Sequence, residues 1–74
     1  MADGWAVEVV TKVLGRGEAK QIWYAHIPDR FVAEESVARR IPATPDVRVE
    51  AKEPIPHDTL VADGIAEGEV SQWI

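Results

Sequence analysis

Two alternating apolar runs hinged on Gly15-Arg16-Gly17 constrain this chain more than any other feature. Residues 5–14 (WAVEVVTKVL) are rich in β-branched side chains, and residues 19–27 (AKQIWYAHI) form a second apolar run. Short runs of this composition joined by a glycine-bearing turn read as a β-hairpin. A two-residue loop would set Val9 beside Tyr24 and Val7 beside His26. A three-residue loop sets Val9 with Trp23, Val7 with Ala25, Val13 with Ala19 and Trp5 with Ile27, which separates apolar from polar residues far better. It also uses Gly17 in the left-handed conformation that ends such loops, at the cost of Lys12 opposite Lys20. The three-residue loop is the expected register, with Trp23 on one face of the sheet and Tyr24 on the other.

Pro28-Asp29 opens a helix expected to run to about Arg40. Asp29 is placed to cap the free amides, Arg39 and Arg40 lie where the carbonyl end of the dipole favours cations, and Pro42 sets the stop. At 100° per residue Ala33, Val37 and Ile41 make one apolar stripe. Widening it toward Phe31 and Ala38 would bury Glu34. Widening it toward Val32 and Ser36 keeps Glu34 in water, and burial of an unpaired carboxylate costs more than exposure of part of a ring. After Pro42-Ala43-Thr44-Pro45-Asp46, residues 47–52 alternate, with Val47, Val49 and Ala51 toward the helix and Arg48, Glu50 and Lys52 outward. Pro54 and Pro56 are expected to end that strand. Asp58 is expected to cap a short helical turn (DTLVAD) that Gly64 stops, with Ile65 making the apolar contact beyond the glycine. EVSQWI closes the chain as a possible final strand.

The expected fold is α+β. It is one domain over residues 1–74 with a small antiparallel sheet (β-β-α-β) in the order 2-1-3. One main helix covers one face, and a short C-terminal helical turn follows.

A 74-residue chain buries only about 60% of the surface its unfolded form exposes, so such domains often add disulfides, a metal or a partner copy. Disulfides are excluded, because there is no cysteine. A structural zinc is not expected, since His26 and His57 are the only soft ligands and no Cys/His spacing is present. Self-association is left as the remaining route. No apolar run approaches the roughly 18 residues of a membrane span and no leader pattern opens the chain, so a cytoplasmic location and no membrane contact are expected.

Charge is distributed unevenly. Through residue 49 seven acids balance seven bases; beyond it Glu50, Glu53, Asp58, Asp63, Glu67 and Glu69 face Lys52 alone, and the whole net charge of −5 lies there. An acidic third disfavours bare nucleic acid and favours a basic protein surface, although a plain solvated face produces the same count. The basic spots (Lys12, Arg16 and Lys20 at the hairpin, Arg39-Arg40 at the helix end) are small, so direct nucleic-acid binding is not expected.

Catalytic groups are sparse. Neither Ser36 nor Ser71 lies in a nucleophile-elbow pattern, and Gly15/Gly17 is too short for a phosphate loop. His26 reads as a surface or edge residue, and His57-Asp58 is explained by Asp58 as a cap. Glu34-Glu35 and Glu67/Glu69 lack the oxygen spacing of a cation loop. No catalytic residue, cofactor or metal ligand is therefore assigned.

The face opposite the helix is more informative. Val10, Ile22 and Tyr24 form an apolar cluster with a charged rim, which is the anatomy of an interface. Two occupants fit: a second copy of the chain, or the C-terminal segment folding back through Leu60, Val61, Ile65, Val70 and Trp73. The expected function is a non-enzymatic interaction or accessory protein, a modulator or inhibitor of a basic, nucleic-acid-binding partner. Its candidate contacts are Val10, Ile22, Tyr24, Glu50, Glu53, Asp58, Asp63, Glu67 and Glu69. A structural homo-oligomer and a small enzyme subunit using His26 or His57 are the alternatives.

Overall fold

β1 (Gly4–Val13) takes the middle of the sheet because it carries the longest apolar alternation. The computed structural model describes residues 3–13, 15, 17–41 and 47–73. β2 (Gly17–Ala25) and β3 (Val47–Ile55) pair antiparallel with β1 on either side, and β4 (Val70–Gln72) pairs antiparallel with β2. Among the described residues the sheet order is therefore β3-β1-β2-β4, one strand longer than the expected 2-1-3. Two helices, α1 (Arg30–Ala38) and α2 (His57–Ala62), complete an α+β fold.

The hairpin register differs from expectation by two residues along β2. Val7 faces Trp23, Val9 faces Gln21 and Trp5 faces Ala25, with Val13 opposite Gly17. A two-residue displacement preserves which face each side chain takes, so both registers segregate apolar residues equally well. Charge separates them: Lys12 now lies opposite Glu18 instead of Lys20, replacing a repulsion with an attraction. Gly17 has φ +86°, the left-handed conformation the loop was expected to need.

One face of the sheet packs on α1. Val7, Val9, Ala25, Ile27, Ala51, Ala33 and Val37 are buried together, with Trp5, Trp23, Ile41, Val47, Val49 and Val70 packed around them. Asp29 caps α1 by accepting from the amides of Phe31 and Val32. The helix ends at Ala38 with Arg39 as its cap, slightly short of Arg40; Pro42 and its loop lie outside the described residues. Ala33 and Val37 are the buried stripe, and Phe31 is 78% exposed.

Glu34 departs from its expected place in water. It is half-buried and accepts from the Ala51 amide at 2.7 Å, while Arg30 donates to the Ala51 carbonyl at 3.2 Å. Glu34 and Arg30, one turn apart on α1, thus occupy both backbone groups of one residue on an edge strand. A carboxylate with an N–H partner avoids the cost of unpaired burial, and covering an edge blocks pairing with foreign strands.

β3 continues through Pro54 instead of stopping at Lys52. From Val47 to Ala51 it pairs with Thr11 to Val7; then the register shifts, and Glu53, Pro54 and Ile55 pair with Ala6, Trp5 and Gly4. Lys52 is the extra residue of a β-bulge. Prolines are tolerated on edge strands and beside bulges. The inserted residue reverses the alternation, so Ile55 leaves the α1 side and joins Leu60 and Ile65 on the other face, with Ala6 and Tyr24 packed against them.

Asp58 does not cap α2. The N-cap is Pro56, without a side-chain hydrogen bond, and Asp58 sits inside the first turn. The His57 amide donates instead to Asp3 Oδ2 at 3.1 Å, from the far end of the chain. The C-terminus follows expectation: Gly64 has φ +74°, its amide bonds the Val61 carbonyl, and the Ile65 amide bonds the Leu60 carbonyl, which is the Schellman arrangement.

Three stability expectations come from this packing. A Cβ on Gly4 would stand 2.3 Å from the Ala25 carbonyl oxygen and 2.6 Å from Leu60 Cδ1, so Gly4→Ala is expected to destabilise, as is Leu60→Ala by about 2–5 kcal/mol. Glu34→Ala, which strands the Ala51 amide, is expected to cost about 1–2 kcal/mol. Urea unfolding of each variant checks all three.

Candidate functional site

Two places in the fold gather chemically informative side chains. The first is the sheet face opposite α1. Val10 is buried there, in register with Lys20 and Arg48, while Ile22 and Tyr24 are half-buried. The C-terminal segment covers only one end of this face. Trp73 stacks on Tyr24 with ring centroids 5.4 Å apart and planes 9° from parallel. Leu60 and Ile65 pack beyond it, whereas Val61 stays exposed and Val70 packs on the α1 side. Fold-back through Leu60, Ile65 and Trp73 is thus realised, and through Val61 and Val70 it is not.

A groove of about 610 Å³ remains beside the stacked rings. Its apolar surface comes from Ala6, Ile22, Tyr24, Ile55 and Trp73, and Glu8, Lys52 and Glu53 supply the charges. Lys52 is occupied by Glu50 at 3.2 Å, leaving the local balance acidic. Trp73, 56% exposed, stands at the margin. Glu50 and Glu53 are exposed on β3; Asp58 and Asp63 are exposed on and just after α2. Glu67 and Glu69, also exposed, precede β4 and lie in a different neighbourhood.

That neighbourhood is the second place, and spacing along the chain does not announce it. His26 is only 4% exposed, contrary to its expected surface position. It follows β2 directly, and its backbone is held on both sides: its amide donates to the Glu69 carbonyl and its carbonyl accepts from Gly68, each at 2.9 Å. Ring Nδ1 lies 2.8 Å from the Ile65 carbonyl oxygen. A carbonyl only accepts, so Nδ1 carries the proton, and the lone pair of the neutral ring is at Nε2. Nε2 in turn lies 3.2 Å from His57 Nδ1, and the two rings meet edge to face at 60°.

Glu67 completes the group. One ligand atom from each of His26, His57 and Glu67 lies within 4.8 Å of the others. The three flank a cavity of about 470 Å³ between α1 and the turn at Gly68, also lined by Asp3, Val32 and Ser36. This cavity shares no lining residue with the groove. Local spacing weighs His26 and His57 only one at a time, as the acid–base group of the alternative reading, because 31 positions separate them; the signal available in advance was two histidines in a chain otherwise poor in catalytic groups.

No family model, curated protein or solved structure matches this chain. Among the described residues, no helix is long and apolar enough to cross a membrane.

His26 holds the Ile65 carbonyl inside the fold, whereas His57 is exposed. His26→Leu is therefore expected to lower stability by about 1–3 kcal/mol through the orphaned carbonyl, and His57→Ala by less than about 0.5 kcal/mol. Thermal unfolding of the two variants measures the contrast.

Proposed function

We propose that this protein is a non-enzymatic interaction module whose groove opposite α1 receives a protein segment bearing an apolar anchor among basic residues. The observation that carries the reading is the combination of exposed Trp73 stacked on Tyr24 with the acidic margin of Glu8 and Glu53. Interfaces concentrate their energy in aromatic anchors set in partly desolvated pockets and take specificity from charge complementarity at the rim. Asp58 and Asp63 extend the same sign of field around it and attract a basic partner of the kind that binds nucleic acid, whereas Glu50 is paired with Lys52. Glu67 and Glu69 add to the long-range charge but not to the groove.

The same charges weigh against a homodimer through this face. A two-fold interface juxtaposes each patch with itself, bringing Glu8 and Glu53 toward their own copies in a chain already at −5. A heterologous basic partner relieves that repulsion.

Selection of random peptides on the immobilised full chain tests the proposal. Enriched sequences are expected to carry one aromatic or branched apolar residue flanked by Lys or Arg, with retention weakening as salt rises from about 0.05 M to about 0.3 M. Trp73→Ala is expected to cost about 2 kcal/mol of binding, and Glu53→Lys about tenfold in affinity. Enrichment without basic character, or binding indifferent to both substitutions, overturns the proposal. Light scattering that shows a dimer abolished by Trp73→Ala reassigns the groove to self-association.

A further inference from the structure

We infer that His26, His57 and Glu67 form a binding site for a divalent first-row transition ion of the zinc class, with one coordination position open to the adjacent cavity. Three observations lead there independently of the groove.

The donor set is the first. Two imidazole nitrogens and one carboxylate suit zinc and its neighbours, and three protein ligands plus an exchangeable position is the pattern of open zinc sites. Magnesium and calcium require mostly oxygen donors, and this group offers two nitrogens.

Geometry is the second. Zinc–nitrogen bonds of about 2.0–2.1 Å at a tetrahedral angle hold two ligand nitrogens about 3.3 Å apart. His26 Nε2 and His57 Nδ1 stand 3.2 Å apart. The pair therefore has the separation that the ion would impose; on loading, His57 shifts its proton from Nδ1 to Nε2 through solvent, and two metal bonds replace the shared hydrogen bond. Glu67, one of whose carboxylate oxygens lies within 4.8 Å of a ring nitrogen of each histidine, is exposed and supplies the third ligand.

Orientation of the ligands by outer partners is the third. Metal-binding imidazoles usually donate their second N–H to a carbonyl or carboxylate, which turns the ligating lone pair inward. His26 does this through Nδ1 to Ile65, so Nε2 is the nitrogen left to bind. Asp3 holds the His57 backbone, and Gly68, the neighbour of Glu67, is bonded to the His26 carbonyl. The ligands come from the end of β2, from α2 and from the turn before β4, with His26 31 positions away from His57. A bound ion bridges these segments while its fourth position stays open to the cavity.

Calorimetric titration of the metal-free full chain with Zn²⁺ tests the site, with Co²⁺ absorption as a report on geometry and Mg²⁺ and Ca²⁺ as controls. His26 is buried, so the substitutions are made at the exposed ligands, with circular dichroism to confirm the fold. The expected result is one Zn²⁺ per chain, a raised thermal midpoint, and the intense visible bands of four-coordinate Co²⁺. His57→Ala is expected to weaken Zn²⁺ binding by more than about 100-fold and Glu67→Gln by about 10-fold or more, since losing even an outer partner typically costs about 10–100-fold. The inference is overturned by absence of saturable binding, by Zn²⁺ affinity unchanged in either variant, or by displacement of Zn²⁺ with equimolar Mg²⁺.

Discussion

The extra residue that β3 accommodates at Lys52 governs how the rest of the molecule is assembled. Before it, Val47, Val49 and Ala51 point toward α1; after it, Ile55 points the opposite way and meets Leu60 and Ile65. A regular strand has period two and would have placed Ile55 with Ala51 on the α1 side. The bulge therefore lets one edge strand serve two cores on two faces of a single sheet. It also aims the chain that leaves β3, through Pro56, so that α2 lies across the Ala6 and Tyr24 end and His57 arrives beside His26.

The division of labour follows from small size. Neither core is large: among the described residues, seven buried side chains cluster on the α1 side and three, Ile55, Leu60 and Ile65, cluster on the other. Each is completed by a device other than apolar area. On the α1 side Arg30 and Glu34 occupy both backbone groups of Ala51 and cover the edge of β3. On the other side the His26 ring, the Ile65 carbonyl, the Asp3 contact to α2 and the Tyr24–Trp73 stack link the C-terminal segment to the sheet. Polar contacts with satisfied partners specify one arrangement where apolar burial alone leaves several of similar energy.

Much of this was legible in the residues. Alternation in 5–14 and 19–27 was enough for the hairpin and for the assignment of Trp23 and Tyr24 to opposite faces. It was not enough for the register, because displacements of two residues leave the pattern unchanged, and the Lys12 and Glu18 pairing decides the matter. Asp29 as cap, the Ala33 and Val37 stripe, and the Gly64-Ile65 stop all depend on local chemistry and were readable for that reason. Asp58 does not cap because the proline-led helix takes its cap two residues earlier, at Pro56, and borrows a distant carboxylate. Glu34 was misplaced because its partner is a backbone amide on another element. The bulge left only a faint trace, the polar run Lys52-Glu53 ahead of Pro54. The contact of His26 with His57 is wholly tertiary, and no reading of local spacing reaches it.

Which side of the sheet Ile55 occupies is the most direct test of this account. In a nuclear Overhauser spectrum of methyl-labelled protein, the Ile55 methyls should show cross-peaks to Leu60, Ile65 and Ala6. Cross-peaks from Ile55 to Ala33 and Val37 in their place would mean that β3 runs without a bulge. The second core, the course of α2 and the meeting of the two histidines would then all be wrong.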